Sequence, residues 1–196
     1  MLTRAVCDTL YFMGCYGAKE IAEAFRTVRR NTIVIAQDIG EEHYGFRAAP
    51  DTRTVAQTLV HIAVIPRVTL QIHATERRTN LEGFDYPAWV GKLIAEEQAP
   101  GSKEQIIAKL TEEGERFASW VETLSDDFLA ERVTYPAGFH PPSKVRIEML
   151  MGVKEHEMHH RAQLMLMERM LGIVPHLTRH MQARMADRQS GRAATS

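Results

Sequence analysis

The sequence predicts an all-α protein, an up-down four-helix bundle with long loops and extra segments at both termini. Three observations support this prediction. Apolar residues recur at spacings of three and four in four long segments, Gly- and Pro-rich stretches separate these segments, and strand signals are nearly absent outside two of the loops. Four long helices that each have one apolar face bury those faces most simply against one another, as a bundle.

The composition is that of a soluble globular protein, since 44% of the 196 residues are hydrophobic and 25% are charged. This length suits one domain with a substantial core. The formal net charge of −1 leaves no basic excess for nucleic acid, and no uncharged apolar run is long enough to span a membrane. We therefore expect a cytoplasmic protein that binds neither nucleic acid nor membrane.

We divide the chain into an N-terminal extension (residues 1–17), the bundle (residues 18–175), and a short C-terminal helix with a polar tail (residues 176–196). The two cysteines, Cys7 and Cys15, both lie in the extension. They are too few for a disulfide framework and lack the spacing of a metal site. We expect them to be small, buried apolar residues.

The first two helices are predicted from their apolar stripes and a cap. Residues 18–39 place apolar side chains on one face of a helix. Thr54 and Gln57 are spaced as a capping box at the start of the second helix. Pro66 falls inside the second pattern and removes a backbone donor. Because the apolar spacing continues beyond it, we expect a kinked helix that reaches about Arg77.

Two long connections flank the third helix. Residues 79–101 hold several glycines and prolines and are interpreted as a connection with room for one short helix. Ser102 begins the third helix, whose apolar seam is typical of antiparallel packing. After a second loop at 129–142, Ser143 is predicted to cap the fourth helix, which runs to Leu171.

The fourth helix contains the strongest chemical signal, in the stretch KEHEMHHRAQ at residues 154–163. His156 and His160 are four residues apart, so both project from one face of the helix, which suits two imidazole ligands of one metal ion. His61 lies among apolar residues in the middle of the second helix and is expected to point inward. A bundle can bring His61 opposite the pair, as a three-histidine site with one position open to water or substrate.

The same stretch satisfies the H-E-x-x-H pattern of zinc peptidases, in which the glutamate is the general base. Glu157 is therefore the candidate catalytic residue. A helix places it about 100° from His156, so a supporting or solvent-facing role is the alternative. The third ligands of the known peptidase classes are missing downstream, and so are long strands. The peptidase is the less favoured interpretation.

Several other side chains have weaker interpretations. Gln163 is expected to form hydrogen bonds in the pocket or across a dimer interface, and His159 lies too far round the helix to share the metal. Loop anchoring is favoured over a place in the pocket wall for Trp89, Tyr135 and Phe139. The remaining histidines are interpreted as solvated or locally bonded, with His140 as a possible further ligand: His43, His73, His140, His176 and His180.

The stretch HEMHHRAQLMLMERMLGIVP, preceded by TVAQTLVHIA and by a Tyr-Pro-x-Gly loop, resembles the DinB/YfiT-like superfamily of metal-binding four-helix bundles. The resemblance covers about residues 20–175. It implies that the metal ligands are His61, His156 and His160. Arg161 and Gln163 match the rest of the family motif, with alanine between them where the family has glycine.

The resemblance further implies a metal-dependent enzyme of thiol-linked S-transferase or hydrolase type that acts on small electrophiles. Activities in the family include bacillithiol-dependent S-transfer and mycothiol-dependent maleylpyruvate isomerisation. The expected cofactor is a divalent metal, zinc or nickel first, with iron and manganese as alternatives. A low-molecular-weight thiol is the expected co-substrate. The open alternative is a metal-binding stress-response or sensor module without catalysis.

A homodimer is also expected. The fourth helix is rich in methionine and has more apolar faces than one core needs. Family members often pair through their helix faces, and the same kind of pairing would bury the surplus apolar surface here.

Overall fold

The computed structural model describes residues 16–193, with side chains described for residues 16–188. Cys7 and Cys15, for which burial is predicted, lie outside the described residues. The helices are α1 (Ala18–Asp38), α2 (Val55–Val64), α3 (Pro66–Leu70), α4 (Tyr86–Gln98), α5 (Lys103–Glu122), α6 (Asp126–Ala130), α7 (Arg146–Met170) and α8 (His176–Ala193). A 3-10 turn at Glu41–His43, a π-helical turn at Gln71–Thr75 and strands β1 (Arg132–Thr134) and β2 (Ser143–Val145) complete the described part.

The four long segments form the predicted all-α bundle. Its rods are α1, the continuous α2–α3 run, α5 and α7, and both α1 and α2 pack against α5 and α7. The core has two clusters of buried apolar side chains, one centred on α2 and the other on the contact of α1 with α5. In the second cluster, Phe25 meets Phe117 edge-on, with the ring centroids 4.8 Å apart.

The second rod begins with the predicted capping box and continues past Pro66. The Thr54 hydroxyl accepts a hydrogen bond from the Gln57 amide at 3.1 Å, and the Gln57 side chain accepts one from the Thr54 amide at 3.0 Å. Pro66 opens α3 directly after α2, so the missing donor falls at the joint between them. The π-helical turn then extends the rod to Thr75, and Arg77, two residues beyond its end, has a positive φ of 50°.

The α2–α3 rod is the core helix of the bundle. Its span Val55–Thr75 is long and apolar enough to cross a membrane by length and composition alone, yet 72% of its most apolar stretch is buried inside the protein. The central position of this rod therefore accounts for its apolar character.

The connection at 79–101 contains a longer helix than expected. Helix α4 has 13 residues. The Asp85 carboxylate caps it by accepting a hydrogen bond from the Ala88 amide at 3.0 Å, and Pro87 suits its first turn. Leu93 and Glu97 lie four residues apart, and both are buried where α4 packs against α2.

The predicted cap of the fourth helix is wrong. Ser143 belongs to β2 and pairs with Thr134 of β1, and α7 begins three residues later, at Arg146. The amide of Arg146 donates to the carbonyl oxygen of Glu131 at 2.8 Å. Because strand pairing leads directly into the helix, a backbone acceptor takes the place of a side-chain cap.

Candidate metal centre

Helices α2 and α7 bring the three predicted histidines together. The Nε2 atom of His156 lies 3.1 Å from Nε2 of His61 and 3.2 Å from Nε2 of His160. The potential ligand atoms of all three side chains lie within 4.8 Å of one another. Nitrogen ligands of a tetrahedral ion at about 2.0–2.1 Å are about 3.3 Å apart. The donor set therefore fits one divalent metal ion.

Acceptors on the outer side of two rings fix their protonation. The Nδ1 atom of His61 donates to Oε1 of Glu97 at 2.6 Å, and Nδ1 of His160 donates to Oε1 of Gln163 at 2.8 Å. In the neutral form of each ring, this hydrogen bond leaves the lone pair of Nε2 facing the centre of the cluster. His156 has one ring proton to share between these two acceptors, so the centre holds more acceptors than donors. A cation satisfies such an arrangement.

The pKa values agree with neutral imidazoles. Burial lowers the pKa of His156 to about 4, and the positive charges of His160 and His61 act in the same direction. Burial also lowers the pKa of His160, in spite of its hydrogen bond to Gln163. Both rings are therefore uncharged near pH 7, which is the form that binds a metal ion.

Glu97 is a functional residue that the sequence-based prediction missed. Its second oxygen, Oε2, accepts a hydrogen bond from Nε of Arg53 at 2.7 Å. Burial raises the pKa of Glu97, but the hydrogen bonds from His61 and Arg53 outweigh it and leave the pKa below its ordinary value. An ionised carboxylate therefore orients His61, as in the carboxylate–histidine–metal arrangements of metalloproteins. Its position four residues after Leu93, on the apolar face of α4, was the available signal.

Glu157 lies in a different polar cluster. Its carboxylate is buried and accepts hydrogen bonds from Nε and Nη2 of Arg29, at 3.0 and 2.9 Å, and from Oγ1 of Thr32 at 2.7 Å. The guanidinium of Arg29 also donates to two backbone carbonyls, those of Leu110 and Ile62. A side chain on Gly114 would have its Cβ 2.8 Å from Cγ of Arg29, so glycine makes room for this arginine. These contacts account for the buried carboxylate of Glu157 without a catalytic role.

A cavity of about 760 Å³ lies beside the histidine cluster. His160, Gln163 and Glu97 line it on the side of the clustered histidines, and its volume is that of a small-molecule site. The aromatic residues considered for its wall lie elsewhere. Tyr135 stacks on Phe139, with the ring centroids 5.9 Å apart, and Trp89 packs against the core.

The sequence profile of the DinB superfamily matches residues 24–164. The chain belongs to the DinB superfamily. The match includes α2 and most of α7, and therefore all three clustered histidines, which confirms the resemblance inferred from their motif. No curated protein matches the chain.

Two other histidines of this DinB-superfamily protein differ from the prediction. His73 and His176 were expected to be solvated or locally bonded, yet both are only 2% exposed. Nδ1 of His73 accepts a hydrogen bond from Nη1 of Arg146 at 2.5 Å, and Nε2 of His176 lies 3.1 Å from Oδ1 of Asn31. The prediction failed because both partners are more than 70 residues away in the sequence.

The remaining histidines are more accessible. His140 and His180 are exposed, and the side chain of His43 is 42% exposed. His159 is exposed and lies 3.2 Å from the Nε2 atom of Gln163, so Gln163 bridges it to His160. Hydrogen bonding within the pocket, one of the two expected roles of Gln163, is the arrangement found in a single chain.

Proposed function

We propose that this DinB-superfamily protein is a metal-dependent enzyme of thiol-linked S-transferase or hydrolase type that acts on small electrophiles. The observation that carries the proposal is the convergence of three Nε2 atoms beside a cavity large enough for a small molecule. Three protein ligands with an adjacent cavity are typical of catalytic metal sites, whereas structural sites are closed by four.

His61, His156 and His160 would hold the divalent ion, with zinc or nickel preferred and iron or manganese as alternatives. Such an ion lowers the pKa of a bound water or thiol and so supplies a nucleophile near neutral pH. Glu97 holds His61 in the orientation and protonation that ligation requires, and Gln163 does the same for His160. Imidazole ligands bind a metal ion in their neutral form and would therefore leave the charge of the ion uncompensated.

Two observations support an enzyme over the alternative functions. His140, the residue considered as a fourth ligand of a closed site, is exposed and is not part of the cluster. Glu157, the general base of the peptidase interpretation, has its carboxylate engaged by Arg29 and Thr32. Both favour a small-molecule transferase or hydrolase over a sensor module or a peptidase.

The test is consumption of an electrophile by the metal-loaded protein. Monobromobimane is incubated with the protein and with bacillithiol, mycothiol or glutathione in turn, and the His61→Ala variant is the control. We expect thioether formation above the uncatalysed rate with at least one thiol, or hydrolysis without any thiol. Metal-loaded protein that accelerates neither reaction would contradict the enzyme and favour the metal-binding module.

We also propose that the protein is a homodimer in a cytoplasmic setting. Exposed apolar side chains continue from α7 into α8: Met158, Leu166, Met170, Val174, Leu177, Met181 and Met185. Burial of these side chains against a second copy would remove them from water. Light scattering should give twice the chain mass at micromolar concentration, and Met170→Glu should shift the protein towards the monomer. A monomeric parent protein would refute the dimer.

A further inference from the structure

We infer that the cavity beside the histidines binds its small-molecule ligand through a carboxylate, and that Arg53 is the residue that recognises this group. The inference deepens the proposed function and rests on it in one respect only, in taking the histidine cluster as the reactive end of the cavity. Recognition of an acid by Arg53 is a separate property and can be tested separately.

The guanidinium group of Arg53 is hydrogen-bonded at its Nε atom, and its two terminal nitrogens are free to bind a ligand. Its Nε atom donates to Oε2 of Glu97, whose side chain is only 4% exposed, while the side chain of Arg53 is 40% exposed. Within the described part of the chain, neither Nη1 nor Nη2 of Arg53 has a hydrogen-bond partner. A guanidinium with two free parallel donors matches the two oxygens of a carboxylate.

The other groups that line the cavity point to the same residue. Arg47 and Asp51 contribute opposite charges, and Nη1 of Arg47 already donates to the carbonyl oxygen of Pro50. Both oxygens of Glu97 are used, one by His61 and one by Arg53. The free donors of Arg53 are therefore the anchored cationic group available to a ligand, and a divalent ion at the histidines would add to the positive potential.

The apolar side chains of the cavity wall determine which chemical group the remainder of the ligand should be. Ile94 of α4 and Leu166 and Met167 of α7 line the same cavity and offer contact to a hydrocarbon body. A single carboxylate, that of Glu97, separates Arg53 from His61. The ligand class is therefore a short acid, with few carbons between its carboxylate and the atom that reaches the histidine cluster.

The test compares two thiols that differ only in the acidic group, 3-mercaptopropionate and 3-mercapto-1-propanol, on the cobalt-loaded protein. Calorimetry gives their affinities, and the sulfur-to-cobalt absorption band reports contact with the metal. We expect the acid to bind at least about tenfold more tightly, because a hydrogen bond between two charged groups is stronger than one to a neutral hydroxyl. Arg53→Gln should abolish this preference, so that the acid and the alcohol bind with affinities within about twofold of each other.

Two further variants make the result specific. Arg30→Gln removes an exposed arginine of α1 that is not part of the cavity, and it should keep the full preference for the acid. Arg53→Lys keeps the charge but loses the planar pair of donors, so its preference should fall at least about threefold. Metal content is measured for every variant. If Arg53→Gln does not retain cobalt, the preference for the acid is compared between Arg53→Lys and the parent protein instead.

The outcomes separate the two proposals. A preference for the acid that is unchanged in the Arg53 variants would come from chelation of the metal and would overturn the carboxylate site. Equal affinities of the parent protein for acid and alcohol would overturn it as well. A preference that depends on Arg53, in the absence of any sulfur-to-cobalt band, would uphold the site and count against thiol transfer.

Discussion

His156 and Glu157 are consecutive residues of α7, yet they belong to buried polar clusters of opposite character. Around Glu157, donors and acceptors match, since the carboxylate takes hydrogen bonds from Arg29 and Thr32 and the rest of the arginine reaches backbone carbonyls. Around His156, three ring nitrogens approach one another while the outer protons of His61 and His160 are committed elsewhere. Donors and acceptors balance in the first cluster, whereas the second has an excess of acceptors, an arrangement that suits a cation.

This difference separates structural polar groups from ligand-binding ones. A buried ion pair with satisfied hydrogen bonds is explained by folding alone, because each charge is compensated within the chain. A buried set with more acceptors than donors is unfavourable unless something outside the chain binds there. The H-E-x-x-H pattern of the sequence joins one residue of each kind, and only their partners from α1, α2 and α4 distinguish them.

The largest expected effect is on metal binding. His61→Ala and His156→Ala should reduce the metal content from about one ion per chain to almost none, because each removes a direct ligand and exceeds the roughly 10–100-fold cost of losing an outer partner. Elemental analysis of protein purified without a histidine tag measures this, and His43→Ala should retain the metal. Metal that survives in His61→Ala would return a two-histidine site to consideration.

A substitution in the cluster of Glu157 and Arg29 should lower the stability of the protein and leave metal binding unchanged. Glu157→Ala leaves Arg29 buried without its counter-charge, so the free energy of unfolding should fall by about 3–5 kcal/mol in urea titrations, with the metal content retained. Glu23→Ala breaks the exposed pair with Arg30 and should cost less than about 1 kcal/mol. Loss of metal in Glu157→Ala without loss of stability would place Glu157 with the metal ligands.

The buried residue His73 should make the stability of the protein depend on pH. Burial, together with the charge of Arg146, lowers its pKa from 6.5 to about 4. In the unfolded chain, His73 therefore binds a proton below about pH 6.5. In the folded protein, it binds this proton only below about pH 4. The stability contributed by neutral His73 is complete above pH 6.5 and is lost as the pH falls towards 4, by up to about 3 kcal/mol.

The measurement for His73 is urea unfolding at pH 7, 5.5 and 4.5, with His73→Gln alongside the parent. The variant should lose less stability than the parent as the pH falls. Glu168→Gln serves as a control of opposite sign, since burial raises the pKa of Glu168 to about 7 and its protonated form favours folding at lower pH. Parallel curves for the parent and His73→Gln would contradict the assigned role.

The smallest of these effects is expected at Glu97. Glu97→Gln weakens the hydrogen bond that orients His61, so metal affinity should fall roughly 10–100-fold in competition with a chromophoric chelator. Glu96→Gln is a matched control on the same helix, because Glu96 binds Arg67 and Lys109 instead of a histidine. Equal losses in the two variants would show a general effect of α4.

The bundle and its three histidines were predictable because both depend on local periodicity. The stripes of α1, α2, α5 and α7 define the rods, and the four-residue spacing of His156 and His160 places both on one face. The family motif then added His61. The catalytic role considered for Glu157 remains a prediction.

Other features depend on contacts between distant segments. Glu97 and Arg53 come from regions interpreted as connections, and their importance arises only when α4 packs beside α2. Ser143 has the composition of a cap, but pairing with β1 places it in a strand. The burial of His73 depends on Arg146, which reaches it from the start of α7. No single window of sequence contains both partners in these cases.

Helix α4 is an excursion between two rods of the bundle, and it carries Ile94, Glu97 and Gln98 into the cavity wall. The three clustered histidines themselves belong to the rods. Substitutions in this segment at positions other than Glu97 can therefore change the shape and chemistry of the wall, while the rods and the three histidines stay the same. Exchange of residues 79–101 between family members, with Glu97 kept, offers a route to changing ligand preference in the laboratory.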